Sequence, residues 1–134
     1  MDYFTIEELT HSNIAARRGI DNTPNEDHRK NLQRLIELVL DPLREEVDKP
    51  IIVSSGYRCP ELNKAVGGSS TSQHMQGLAA DISCHRIPVG ELWDTAVRMS
   101  KNDEIWADQI ILEYGRWVHI STSENPRKEY FELS

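Results

Sequence analysis

The sequence has few cysteines, few basic residues and no long apolar run. Two cysteines, Cys59 and Cys84, cannot build a disulfide framework, and both are expected to be free thiols. No window approaches the ~18 consecutive apolar residues of a membrane span, so no membrane insertion is expected. Lys and Arg number 15 against 22 Asp and Glu, a net charge of −7. Adjacent basic residues come only in short clusters such as Arg17–Arg18 and Arg127–Lys128, too short for a nucleic-acid-binding stripe, so no nucleic acid is expected as partner. The opening MDYFTIEELT lacks the basic start of a secretory signal. The reading is a protein made in the cytoplasm without a signal peptide. There is no internal repeat and no low-complexity stretch.

What is present suits one domain covering residues 1–134, long enough for a single unstapled core. Apolar residues make up 38% and charged residues 28%, a soluble and globular balance. Thr5 and Glu8 form a capping-box pattern, Ser12 can cap a second short turn, and Gly19 reads as a stop. From Asn25 to about Val47, Leu32, Leu35, Ile36, Val39, Leu40 and Leu43 recur at helical steps. Pro42 inside that run predicts a kink or a fresh start. A buried strand is expected at Ile51–Ser54, one or two helical turns at CPELNKAV, and a flexible loop at GGSSTSQ. LAADIS reads as a strand and PVGELWDTAVRMSKN as an amphipathic helix. DQIILEY and WVHISTS form a hairpin around GR. The fold class is α+β, with N-terminal helices packed on a small, mainly antiparallel sheet.

Five histidines are available, and His11 and His28 look like surface residues of the helical part. His74 precedes the strand that holds Asp81, and His119 lies in the last predicted strand. Two imidazoles and a carboxylate make a donor set for a hydrolytic metal site with one position open to water. Gly77 and Ala79 leave room for a close approach. Such a site also needs a base and a cation, and Arg58, on the turn after the first strand, can supply the cation. Cys84 and His85 follow the metal strand, but a small core residue and a strand end explain them as well. Tyr57 can reach substrate, though no spacing requires it.

SQHMQGLAAD fits the pattern S-x-H-x-x-G-x-A-x-D through Ser72, His74, Gly77, Ala79 and Asp81, and WVHIS supplies a later W-x-H through Trp117 and His119. With SSGYRCPELN ahead of both, the chain resembles the zinc D-alanyl-D-alanine carboxypeptidases and cell-wall endopeptidases of the hedgehog/DD-peptidase fold. FTIEELTHSNIAARRGIDNTP and LDPLREE resemble the short, phage-associated branch. The resemblance implies one zinc per chain, held by His74, Asp81 and His119. It implies that Arg58 takes the substrate carboxylate or the carbonyl oxygen under attack, and that Ser72 contacts substrate beside the metal. Apart from the resemblance, Gln73 is a further expected substrate contact that no spacing requires, and Trp117 is expected as a wall of the cleft, touching substrate, or as a core residue. Peptidoglycan stem peptides or cross-links are the implied substrate. Action at the wall would then need delivery by a holin-type pore or a phage particle.

One departure from that pattern stands at Arg116. The family commonly carries its general base three positions before the last histidine, and an arginine there cannot accept a proton. Glu113 is the nearest upstream acid, with Asp108 in reserve. A loop of Tyr114-Gly115-Arg116 sets Glu113 opposite Trp117, on the face of His119, whereas a loop of Gly115-Arg116 alone turns Glu113 away. The alternative function is a zinc-containing cell-wall peptide-binding module with weak or no catalysis.

Overall fold

A computed structural model describes residues 3–134. Three short capped pieces lead into the body of the chain. Helix α1 (Ile6–Thr10) starts where the Thr5 hydroxyl accepts the Glu8 N–H. The Ser12 hydroxyl accepts the Ala15 N–H to start α2 (Asn13–Arg18), which ends at Gly19 with a positive φ of 67°. The Asn25 side chain caps α3 (Glu26–Leu35).

The long apolar stripe continues through a π-helical turn (Ile36–Leu40) into α4 (Asp41–Val47). The cause is Pro42, which has no N–H to offer the Leu38 carbonyl one turn earlier. That carbonyl accepts the Trp106 N–H at 3.0 Å instead. The wider turn keeps Leu32, Leu35, Ile36, Val39, Leu40 and Leu43 on one buried face on both sides of the proline.

The strands are β1 (Ile51–Ser55), β2 (Ala79–Cys84), β3 (Gln109–Glu113), β4 (Trp117–Ser121) and β5 (Glu129–Leu133). Helix α5 (Pro60–Ala65) and a 3₁₀ turn (Gln73–Gln76) lie between β1 and β2, and α6 (Val89–Lys101) lies between β2 and β3. Among the described residues they form one sheet in the order β1-β2-β4-β3-β5. The first four strands pair antiparallel, and β5 adds to β3 in parallel. The α+β, hedgehog/DD-peptidase-like arrangement expected from sequence is the one observed. Strand β5 was not anticipated, because EYFEL puts a charge at every third position and its partner is far from it in the chain.

Alternation along the strands gives the sheet two unlike faces. Ala80, Ile82, Ile110, Leu112, Val118 and Ile120 point into a core shared with α3, α4 and Leu92, Ala96 and Met99 of α6. The opposite face carries Asp81, Ile111, Glu113, Trp117 and His119 and opens into a cleft. No helix among the described residues is long and apolar enough to cross a membrane.

Candidate metal centre

The turn bearing His74 is fixed from three directions. The Ser72 hydroxyl accepts the His74 N–H at 3.1 Å, and the His74 carbonyl accepts the Arg58 N–H at 3.0 Å. The Asn31 side chain of α3 donates to the Gln76 carbonyl at 2.8 Å. Gly77 ends the turn at a φ of +75°, and a Cβ there would lie 2.6 Å from the His28 carbonyl oxygen. The glycine is thus required both by its conformation and by its packing against α3. Two residues later the chain enters β2, where Asp81 stands directly opposite His119 of β4.

The three donors converge. His74 Nε2 lies 3.2 Å and His119 Nδ1 3.1 Å from Asp81 Oδ1, and all three donor atoms lie within 4.8 Å of one another. Donors of a tetrahedral ion at zinc-ligand distances sit ~3.3 Å apart, so the spacing fits. The protonation pattern fits as well. His74 Nδ1 is 2.7 Å from the Gly56 carbonyl oxygen, which can only accept. Nδ1 therefore carries the proton, and a neutral ring aims its Nε2 lone pair at a carboxylate oxygen. Those two groups repel unless a cation lies with them. Burial pushes the Asp81 pKa up, but with the two imidazoles protonated in place of a metal, the hydrogen bonds and charge of His119 and His74 outweigh it and hold the carboxyl well below its usual range.

The hairpin takes the three-residue loop Tyr114-Gly115-Arg116, with Glu113 paired to Trp117. Glu113 therefore shares the face of His119, and its Oε2 lies 3.8 Å from His119 Nδ1. Arg116 sits exposed in the loop. Arg58 lines the same cleft, its Nη2 donating to the Ser72 hydroxyl at 3.4 Å. Partial burial draws its pKa down, opposed by the charges of Asp81 and Glu113. Ser72, Gln73 and Trp117 also line the cleft, whose volume is ≈ 560 Å³. Three of its shielded polar atoms, Arg58 Nε, Gln73 Oε1 and Trp117 Nε1, have no protein partner.

Other expectations need correction. Asp108 is no free base: it is buried, and its oxygens are taken up by Arg127, Gln73 and Ser123. Tyr57 is core rather than cleft, its ring 5.2 Å from that of His28. His28 is half-buried, not a plain surface residue. Cys84 is buried and His85 exposed, and neither cysteine is bonded. Sequence reasoning missed Gln109, Ile111, Arg127 and Leu133 as cleft-lining residues. Period-two alternation from Glu113 could have found Ile111 and Gln109, but nothing in the sequence announces that β5 closes that side.

A stretch of 35 residues, 26% of this chain and 14% of the relative, is 54% identical to the zinc D-Ala-D-Ala carboxypeptidase of Streptomyces albus G. The Peptidase M15 family model matches residues 2–121, which include His74, Asp81, Glu113 and His119, and the chain belongs to that family.

Proposed function

We propose that this chain is a zinc metallopeptidase that hydrolyses peptide bonds in peptidoglycan stem peptides or cross-links, as a D-alanyl carboxypeptidase or an endopeptidase. The observation that carries the reading is one open cleft holding a three-donor metal set, a carboxylate 3.8 Å from one donor, and a guanidinium on the other side. His74, Asp81 and His119 would hold the zinc. When bound, the ion supplies a Lewis acid and lowers the pKa of a coordinated water.

The remaining work falls to the chain's own residues. Glu113 takes the proton of the attacking water and returns it to the departing amine. Arg58 binds the carbonyl oxygen as negative charge develops there, or a terminal carboxylate of the peptide. Gln73 and Trp117 wall the cleft, each with a polar atom that has no protein partner, and Ser72 lies beside Arg58. The Gly56 carbonyl keeps His74 in the tautomer that presents Nε2.

The test joins metal analysis of purified protein to digestion of defined muropeptides, read by mass spectrometry. One zinc per chain with loss of D-alanine, or a split cross-link, is the expected result. Zinc with intact but bound muropeptides would replace the peptidase by a peptide-binding module. Metal-free His119→Ala protein that still cleaves would refute the assignment of the centre.

A further inference from the structure

Asp108 is a buried carboxylate that the chemistry above does not use. It is 1% exposed, and both of its oxygens are engaged. Arg127 donates from Nε at 3.2 Å to each oxygen, from Nη2 at 2.7 Å to Oδ2, and from its backbone N–H at 2.7 Å to Oδ1. Gln73, next to His74 in the chain, donates to Oδ2 at 3.0 Å. Asp108 therefore grips the inner edge of the Arg127 guanidinium and ties it to the turn that bears His74. The Arg127 side chain as a whole is nonetheless 53% exposed and lines the cleft.

The outer edge of this guanidinium already has a carboxylate near it. Nη1 lies 3.6 Å from Glu129 Oε1, too far for a hydrogen bond, and Gln109 holds that oxygen at 2.8 Å. Glu129, itself half-buried, is thus a weak internal occupant of a place that suits a carboxylate. Arg58 follows β1 at one edge of the sheet, and Arg127 precedes β5 at the other, with two of the candidate donors, Asp81 on β2 and His119 on β4, between them. Two strand spacings separate β4 from β5, ~10 Å, or roughly three residues of an extended peptide. Residues 122–134, which carry Arg127 and Glu129, lie beyond the region matched by the family model.

We infer that Arg127 is a specificity-determining residue that reads a second, free carboxylate on the substrate peptide, with Asp108 as its positioning residue and Glu129 as a built-in competitor. The inference rests on the peptidase reading and adds to it the charge of the preferred substrate. A guanidinium held by its inner edge loses little freedom on binding, and its free N–H groups match a planar carboxylate.

The test compares two forms of one muropeptide, identical except that the side carboxylate is free in one and a carboxamide in the other. KM and kcat are measured for both with zinc-loaded wild type, Arg127→Gln and Glu129→Gln. Wild type should favour the carboxylate form ~10-fold or more in KM. Arg127→Gln should bring the two KM values together, and Glu129→Gln, a half-buried change outside the hydrophobic core, should widen the preference. Equal KM values for the two forms in wild type, with turnover intact, would overturn this inference and leave the peptidase reading standing. Wild type that neither binds nor cleaves either form would remove both.

Discussion

Replacing Gly56 by alanine should damage two things at once, because one glycine serves both the packing of α1 and the orientation of His74, a proposed metal donor. An ideal Cβ at Gly56 would lie 2.1 Å from the Leu9 carbonyl oxygen, where real Cβ atoms essentially never come within 3.0 Å. The obstacle is backbone of α1, held in place by the buried Leu9 side chain and by the 2.7 Å bond from the Tyr57 N–H to the same oxygen. The gap must open by about 1 Å, an overpacking strain that typically costs ~1–3 kcal/mol. For a domain of this size that lowers the melting temperature by roughly 3–10 °C. If the Gly56 peptide gives way instead of α1, its carbonyl leaves His74 Nδ1, and disturbing a bond of this kind commonly weakens metal binding ~10–100-fold. The assays are thermal unfolding of metal-free protein by circular dichroism and zinc competition against a chromophoric chelator. Unchanged melting and unchanged zinc affinity in Gly56→Ala would refute both the tight α1 contact and the role of the carbonyl.

Four further outcomes are expected. Glu113→Gln should keep its zinc, measured by metal analysis, and lose ~10²–10⁴ in kcat, the usual contribution of a positioned base. Chelation should abolish muropeptide cleavage, and added zinc should restore it. Gly77→Ala, which meets the His28 carbonyl at 2.6 Å with a φ of +75°, should lower the melting temperature even in metal-free protein. At Asp108, burial raises the pKa, but the hydrogen bonds from Arg127 and Gln73 outweigh it and bring the group down from 3.8 to about 2. Because the folded value is the lower one, this contribution is complete above about pH 4 and fades as pH falls toward 2. With Arg127 half in solvent it amounts to ~1–2 kcal/mol. Acid unfolding of Asp108→Asn should be correspondingly flatter over that window.

The convergence of the three candidate donors was legible because each occupies a place that chemistry restricts. Ser72 must cap, Gly77 must take a positive φ beneath His28, and Asp81 must face the cleft two residues after Ala79, so the spacing of the motif encodes the turn and the strand together. The hairpin was legible only up to a choice of register, since Tyr114 adopts a φ of 57° that its identity does not advertise and so lengthens the loop. The π turn was half legible. Pro42 announces a defect, but the Trp106 N–H that relieves it comes from a distant loop. Strand β5 and the Asp108–Arg127 pair depend on contacts between segments that carry no local signal of each other, and for that reason Asp108 looked like a spare base.

The direct pairing of Asp81 with His119 would make a metal bound at the proposed centre a reporter on how the chain folds. These residues are 38 positions apart and meet only when β2 and β4 align correctly. A slip of one residue between the strands would turn one donor to the core side and leave a pair where a trio is needed. A misaligned chain would then bind weakly, and metal present during refolding would draw the population toward the correct alignment by mass action. Metal uptake during refolding should therefore track native strand pairing rather than collapse. Chains refolded in chelator should reach the native state more slowly, with a larger misaligned fraction that added zinc rescues.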